Sequence, residues 1–209
     1  RLARDQKKLT TRFSDVADII REANYYAVKS SKRYISGKHI DKAIEEKTYR
    51  SNLIQEKMQE MMDRNVIKIS TAGDEVGQIN GLAVYNMGDF SFGRPNRITA
   101  SVSIGRKGIM NIEREAKLSG KIHTKGILIL TGFLNEKFGQ NKPISMSARL
   151  VFEQSYGMID GDSASSTELY TLLSALSGVP IKQFVEFPSS VNQKGEVQAI
   201  GGVNEKIEG

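Results

Sequence analysis

The 209-residue sequence contains no cysteine, no tryptophan and only two histidines. Without cysteine the chain forms no disulfide, no thiolate zinc site and no cysteine nucleophile. His39 and His123 lie far apart in the sequence with no ligand-like spacing, so we predict no histidine metal site. Neither histidine stands in a motif typical of a Ser-His-Asp triad. A serine nucleophile in this chain would therefore need a different base, and lysine is the better candidate.

Long apolar runs are also missing. The longest, residues 126–133, is interrupted by Thr131 and Gly132. It falls well short of the roughly 20 residues that a membrane-spanning helix needs. The first residues lack the apolar core of a signal peptide and there is no initiator Met, so we interpret the sequence as a fragment of a longer chain. A cytoplasmic location is the expectation.

The positive charge is confined to one part of the chain. Residues 1–68 hold sixteen Lys and Arg against ten Asp and Glu, whereas residues 69–209 hold fourteen of each class. A basic helical segment can bind nucleic acid or a nucleotide phosphate. The two signs of charge are mixed here rather than arranged in blocks, which favours a solvated helical surface over a nucleic-acid site.

Helical patterns occupy the first third of the sequence. Apolar residues in 13–31 recur at helical spacing, and Ser14 is suited to cap that helix. A second helix is predicted to begin near His39 and to continue to about Asn65. Residues 1–67 are therefore predicted to be all-α.

The pattern changes to alternating apolar and polar residues after residue 66. Strands are predicted near 66–69, 78–85, 98–104 and 144–152, and helices over 121–138 and 164–177. Strands interleaved with helices, after a helical segment, predict an α+β fold with a domain boundary near residue 68.

Two short segments carry the chemistry. Gly161-Asp162-Ser163-Ala164-Ser165 directly precedes a helical pattern, and residues 201–206 follow an extended run and end in Lys206. A serine at a helix start and a lysine from a distant segment can form a Ser–Lys dyad, in which the amine replaces histidine as general base. Each residue also has an ordinary explanation, because such a serine is usually a helix cap and such a lysine is usually solvated.

The lysine must lose its proton near neutral pH to act as a base, which requires burial or a neighbouring cation. The surrounding apolar residues favour burial: Val197, Ala199, Ile200 and Val203. On the serine side, free backbone N–H groups at the helix start are suited to stabilise an oxyanion. Gly161 permits the tight turn and Ala164 leaves room for a substrate carbonyl. Asp162 can cap the helix, orient Lys206 or face water.

The two segments resemble the paired motifs of a known family. With Asp160 before it, the serine segment resembles the nucleophile motif of the B-type Lon proteases. Residues 195–206 resemble that family's lysine motif, and the separation of 43 residues matches its dyad. Residues 78–84 resemble the first strand of the Lon proteolytic domain, and the N-terminal helices resemble the lid of an AAA+ ATPase module. The similarity is strongest to the LonB-like branch.

This resemblance implies a role for each part of the chain. Residues 1–67 would form a helical AAA+ lid with its linker, and residues 68–209 a Lon proteolytic domain that is incomplete at its C-terminus and shares its fold with a ribosomal-protein domain. Ser163 would be the nucleophile and Lys206 the general base, with supporting roles for Asp160, Gly161, Asp162 and Ala164. Arg12 lies where the ATP-sensing arginine of the lid is expected, although it is equally well explained as one more exposed arginine.

The family implied is an ATP-dependent endopeptidase that works as a homo-hexameric ring on unfolded proteins. The sequence has no Gly-x-x-x-x-Gly-Lys-Ser/Thr motif. The site for ATP with Mg is therefore expected upstream of Arg1, and we expect the fragment itself to bind no cofactor.

One position departs from the family's pattern and leaves alternatives open. Pro188-Ser189 occupies the place of a Thr-Gly pair near the lysine amine. The departure is the only support for one alternative, an inactive Lon-like subunit retained for assembly. A further alternative is a non-proteolytic module that binds nucleic acid through its basic helices, since a fold by itself does not establish a function.

Overall fold

The computed structural model describes residues 10, 12–87, 90–140 and 145–208. The described chain mixes helices with strands, which confirms the α+β class. The helices are α1 Phe13–Lys29, α2 Gly37–Ser51, α3 Leu53–Asp63, α4 Ile112–Glu115, α5 Lys121–Phe138, α6 Ser165–Ser177 and α7 Val203–Glu208. The strands are β1 Asp74–Glu75, β2 Gln78–Met87, β3 Phe90–Ile104, β4 Gly108–Asn111, β5 Met146–Phe152, β6 Ile181–Lys182, β7 Ser190–Val191 and β8 Val197–Gln198.

The chain divides into two compact units. One comprises the described residues within 1–60 and 86–91, and the other those within 61–85 and 92–209. The domain boundary near residue 68 stays a prediction from the sequence. None of the helices in the described part of the chain is both long and apolar enough to cross a membrane.

In the first unit, α1 packs on α2 through a small apolar core of Ile19, Ala23 and Ala43. The guanidinium of Arg50 donates two hydrogen bonds, each 2.8 Å long, to the carboxylate of Glu22. The helix predicted over 13–31 is confirmed by α1.

The predicted cap of α1 is wrong. The N-cap position is Arg12, which makes no side-chain capping bond. The hydroxyl of Ser14 instead donates to its neighbour Asp15, because Ser14 already lies inside the first turn.

The second predicted helix is broken, so the expectation of one helix from His39 to Asn65 is wrong. Asn52 separates α2 from α3 with φ −91° and ψ 2°, outside the helical region. Its amide side chain donates to Glu56, a local bond that competes with a continuous helix.

In the second unit, four strands form a sheet in the order β2-β3-β5-β4. β3 and β5 are antiparallel, with Ile98 opposite Phe152, whereas β4 runs parallel to β5. α5 and α6 contribute to the main apolar core together with β5, through Leu130, Leu172 and Leu150. The predicted strands over 78–85, 98–104 and 144–152 are confirmed, apart from residue 144, which lies outside the described residues, and so are the helices predicted over 121–138 and 164–177.

The strand predicted at 66–69 is wrong, because a side chain takes the place of a partner strand. The amide of Gln154 accepts a hydrogen bond from the Lys68 N–H and donates one to the Val66 carbonyl, both 2.8 Å long. The N–H groups of Val66 and Ile67 donate to the carbonyl of Met61, so the backbone bonds of the segment are made without entering a sheet.

Candidate active site

Ser163 and Lys206 meet in the second unit. The Nζ atom of Lys206 donates a hydrogen bond to the Oγ atom of Ser163 over 3.0 Å. The predicted contact between the hydroxyl and the amine is therefore confirmed. The turn before α6 supplies the serine and α7 supplies the lysine.

The serine turn is shaped by its glycine and anchored by the start of α6. Gly161 has φ +88°, a left-handed conformation that residues with a side chain rarely adopt. Ser165 accepts a hydrogen bond from the N–H of Val191, and Ser166 donates to the carbonyl of Ser189 through both its N–H and its hydroxyl. These bonds hold one side of α6 against β7 and the residues before it.

Ala164 is the N-cap residue of α6 and packs against the apolar cluster formed by Ile79, Ile98 and Phe152. Within the described chain, the backbone N–H groups of Ser163 and Ala164 take part in no hydrogen bond. Two free donors beside the serine hydroxyl suit the stabilisation of an oxyanion, as expected from the position at a helix start.

The lysine is buried, and its amine has no charged partner among the residues that the structure describes. Lys206 is 7% exposed, and within the described chain Ser163 provides the one hydrogen bond of its amine. Burial lowers the pKa of the Lys206 amine, because desolvation disfavours its charged form. A lysine of lowered pKa is the kind that can serve as a general base.

The burial is observed, but two of the residues expected to cause it do not. Val197 and Val203 are 61% and 46% exposed, so they do not enclose the amine. The backbone of β3 comes close to Lys206 at Gly93. A Cβ placed on Gly93 would lie 2.3 Å from the carbonyl oxygen of Glu205 and 2.8 Å from the Cα of Lys206.

Gly93 was not singled out from the sequence, although a signal was present. A glycine inside a strand often marks the close approach of another backbone. Gly93 lies within β3 and has no room for a side chain, because α7 passes directly over it.

The two aspartates beside the serine have different surroundings. Asp162 is exposed, and its carboxylate makes no hydrogen bond or ion pair within the described chain. Of the three roles expected for it, which were to cap the helix, to orient Lys206 or to face water, the structure favours the last. Asp160 accepts hydrogen bonds from the N–H groups of Ile122 and His123 and thereby caps α5. Bonds from the N–H groups of Gly161, His123 and Ile122 lower the pKa of the Asp160 carboxyl.

A buried polar pair lies behind the turn. The Nε2 atom of His123 is 3.1 Å from Oε1 of Glu168, and both side chains are 1% exposed. Burial acts to lower the pKa of His123, but the hydrogen bond and charge of Glu168 outweigh it, so the pKa of His123 is raised. Burial likewise raises the pKa of the Glu168 carboxyl. This pair was not expected from the sequence, since its partners are 45 residues apart.

The segment Pro188-Ser189, where the sequence departs from the family's pattern, lies against α6. The hydroxyls of Ser189 and Ser166 are 2.6 Å apart, and Ser166 and Thr167 both donate to the carbonyl of Phe187. The Ser189 hydroxyl is thus directed to α6, and in the described chain no hydrogen bond joins this segment to Lys206.

Arg12 lies in the first unit and is largely exposed. Its N–H donates to the hydroxyl of Thr10, and its guanidinium is 3.9 Å from the carboxylate of Asp15. Among the residues that the structure describes, no group of three or more His, Asp or Glu is arranged to hold a metal ion.

Comparison of the sequence with known proteins identifies relatives of this chain. Residues 1–50 match the family described as "Archaeal LonB, AAA+ ATPase LID domain". A Lon protease homolog of Escherichia coli is 40% identical over 91% of this chain and 33% of its own length, and one of Haemophilus influenzae is 36% identical over 92% and 32%. The archaeal Lon protease of Pyrococcus abyssi is 29% identical over 96% of this chain and 20% of its own length.

The chain spans about a third of the length of the two bacterial relatives. The similarity to each of these relatives extends over at least nine tenths of the chain. The chain belongs to the Lon protease family.

Proposed function

We propose that the full-length protein is an ATP-dependent serine endopeptidase of the Lon type that hydrolyses peptide bonds of unfolded proteins with a Ser–Lys dyad. One observation carries the proposal: the buried amine of Lys206 lies 3.0 Å from the hydroxyl of Ser163. A pair at this distance can exchange a proton directly.

In the acylation step, the Ser163 hydroxyl attacks the carbonyl carbon of the scissile peptide bond while the neutral amine of Lys206 takes the hydroxyl proton. The carbonyl oxygen becomes an oxyanion, and the unbonded N–H groups of Ser163 and Ala164 are suited to receive it. The ammonium of Lys206 then gives its proton to the leaving amine. This breaks the peptide bond and leaves an acyl ester on Ser163.

Deacylation repeats the proton transfers with water. Lys206, neutral again, removes a proton from a water molecule that attacks the ester carbonyl carbon. Collapse of this second tetrahedral intermediate breaks the ester bond, and the Ser163 oxygen recovers its proton from Lys206. The new carboxylate product is released and the dyad returns to its starting state.

The ATP dependence concerns the whole protein. The residues of this chain do not fit ATP with Mg, because the sequence has no Walker A motif and the described part holds no metal-binding group of acidic residues. We therefore derive no step through ATP. The match to an AAA+ LID domain supports an ATPase module in the whole protein, working as a homo-hexamer, and Arg12 remains our candidate for its nucleotide sensor.

The rival interpretations do not account for the dyad. A module that binds nucleic acid, or a subunit kept for assembly, needs neither a buried lysine of lowered pKa nor a serine hydroxyl beside it. Pro188 still supports the inactive subunit, so the decisive experiment measures activity.

The proposal is tested by peptide and casein hydrolysis with the full-length protein and its Ser163→Ala and Lys206→Ala variants. We expect each change alone to remove nearly all peptide hydrolysis. Members of a catalytic unit act together, so the losses of rate from the two single changes are similar and are not additive. Hydrolysis of ATP should survive both changes.

Lys194→Ala is the matched control for lysine removal, since Lys194 is 71% exposed and pairs with Glu136. It should hydrolyse peptides at the wild-type rate. A wild-type protein that hydrolyses ATP but neither peptide nor casein would contradict the proposal and favour the inactive subunit.

A further inference from the structure

Two carboxylates flank the serine turn, and both are bound to the same residue. Asp160, three positions before Ser163, accepts a hydrogen bond of 3.2 Å from the backbone N–H of His123. Glu168, five positions after Ser163, lies 3.1 Å from the ring Nε2 of His123. The segment 160–168 is therefore tied at each end to one residue of α5.

The downstream tie is buried, which makes it costly to break. His123 and Glu168 are each 1% exposed. Oε1 of Glu168 also accepts from the Asn111 amide over 3.4 Å, whereas Oε2 has no hydrogen-bond partner among the described residues. Loss of the imidazole would leave a buried carboxylate with few partners, a situation that proteins strongly disfavour.

The imidazole ring is held in orientation from its other edge. Nδ1 of His123 lies 2.9 Å from the hydroxyl of Ser119, which in turn contacts Thr124 over 2.8 Å. The charged groups that act on His123 are Glu168 on α6, Glu113 on α4 and Asp160 in the serine turn. All three are acidic, so the ring is oriented to donate from Nε2 to Glu168.

We propose that His123 is a positioning residue that holds the Ser163 turn at both ends, by its backbone N–H on Asp160 and its ring on Glu168. We call these three residues the His123 clamp. The inference rests on the proposed peptidase function and adds a residue to it.

The clamp completes the attachment of α6. Ser165, Ser166 and Thr167 fix one side of the helix to residues 187–191. Glu168 fixes it to α5, which passes close to the start of α6, since a Cβ placed on Gly126 would lie 3.7 Å from the Cβ of Ser165. Without the His123 clamp, α6 keeps its attachment to residues 187–191 but loses the bond from Glu168 to α5. The Ser163 hydroxyl then moves relative to the Lys206 amine.

The test uses two amide variants in the full-length protein. In His123→Gln the amide nitrogen falls near the place of the ring Nε2 and can still donate to Glu168. In His123→Asn the shorter side chain places its amide near Nδ1, where it faces Ser119 and does not reach Glu168. The backbone bond to Asp160 is present in both variants.

Two quantities are measured for each variant: kcat and KM for a peptide substrate, and hydrogen–deuterium exchange of the amides in 160–168. For His123→Asn we expect faster exchange and a fall in kcat of about a hundredfold with little change in KM, because a misplacement of about 1 Å costs a reaction about that much. His123→Gln should restore both quantities close to the wild-type values.

Leu134→Ala separates positioning from simple destabilisation. Leu134 is buried in the main core, eleven residues beyond His123 on the same helix, and in the described chain it makes no hydrogen bond to segment 160–168. It should lower the thermal midpoint while leaving kcat and the exchange of 160–168 unchanged at temperatures where the protein is folded. If His123→Asn does not fold, Glu168→Gln replaces it, with an intermediate loss of kcat expected from the weaker uncharged bond.

The proposal is contradicted if His123→Asn leaves the amide exchange in 160–168 unchanged, or if exchange rises while kcat stays at the wild-type value. It is also contradicted if Leu134→Ala, compared at equal stability, lowers kcat to the same extent as His123→Asn. A wild-type protein without peptidase activity counts against the proposed function instead. In that case the exchange measurement alone decides whether His123 holds the turn.

Discussion

Gly93 and Lys206 lie in backbone contact. A Cβ on Gly93 would be 2.8 Å from the Lys206 Cα, and it would be 2.3 Å from the carbonyl oxygen of Glu205, so neither atom could keep its place. Because both atoms belong to the backbone of α7, no rotation of a side chain can relieve the clash. The absence of a side chain at position 93 thus allows the lysine to reach the serine.

We therefore expect Gly93→Ala to shift α7 and to reduce kcat/KM for peptide hydrolysis by about a hundredfold, through misplacement of the amine by about 1 Å. Gly157→Ala is the matched control, because a Cβ at Gly157 meets nothing within 4 Å. It should leave kcat/KM unchanged. A Gly93→Ala protein of wild-type activity would show that the position of Lys206 does not limit the reaction.

The pH dependence of activity follows from the lowered pKa of Lys206. The amine must be neutral to accept the serine proton, so activity should rise with pH through an apparent pKa below the ordinary lysine value of about 10.4. Lys206→Arg should be inactive at every pH, since a guanidinium stays protonated. The measurement is kcat/KM against pH, and activity that falls as pH rises would be incompatible with an amine base.

The same burial predicts a cost in stability. The folded-state pKa of Lys206 is lower than the unfolded one, so between the two values the unfolded chain binds more protons and stability rises with pH. Below the folded-state pKa the desolvation cost is fully present. We expect Lys206→Met to raise the free energy of unfolding at neutral pH by about 0.5–2 kcal/mol, the usual gain from a single stabilising change. Urea unfolding checks this, and a destabilised Lys206→Met would show that the charged amine is well solvated.

The cap that Asp160 provides to α5 should also make stability rise with pH, but in the acid range where a carboxyl group titrates. Asp160→Ala removes the acceptor for two backbone N–H groups and should cost about 1 kcal/mol at neutral pH, whereas Asp160→Asn should keep most of the cap. The folded-state pKa of Asp160 is lowered, so its contribution is present above its unfolded value of about 3.9 and is lost as pH falls through the folded value. Thermal unfolding of wild type and Asp160→Ala should therefore converge in acid. A constant difference at all pH values would exclude the charged cap.

Features with a local cause could be predicted from the sequence. The alternation along β5 and the apolar helix α5 each follow from residues that are close in the chain, and the structure has both. The glycine stop of α6 is equally local, since Gly178 adopts φ +70°. The pairing of Ser163 with Lys206 is not local, and it was expected because the two segments resemble motifs that occur together.

Features that depend on distant partners could not be predicted. The segment 66–69 is apolar and strand-like, but the N–H groups of Val66 and Ile67 bond to the carbonyl of Met61 at the end of α3. The Val66 carbonyl and the Lys68 N–H bond to the side chain of Gln154, 88 and 86 residues away. The burial of Lys206 was attributed to its sequence neighbours, and the structure has β3 against it instead. The sequence likewise does not indicate that His123 and Glu168 form a pair, because they lie in two different helices that only the fold brings into contact.

The most direct test is for the acylation of Ser163 during hydrolysis, because mass spectrometry can measure the mass of an acyl-enzyme. The full-length protein is mixed with a peptide substrate, quenched in acid during turnover, digested and examined by mass spectrometry. We predict a fragment containing Ser163 that is heavier by the acyl portion of the substrate, and in Ser163→Ala we predict neither this adduct nor hydrolysis. An adduct on another residue, or Ser163→Ala that hydrolyses peptides at the wild-type rate, would contradict this prediction.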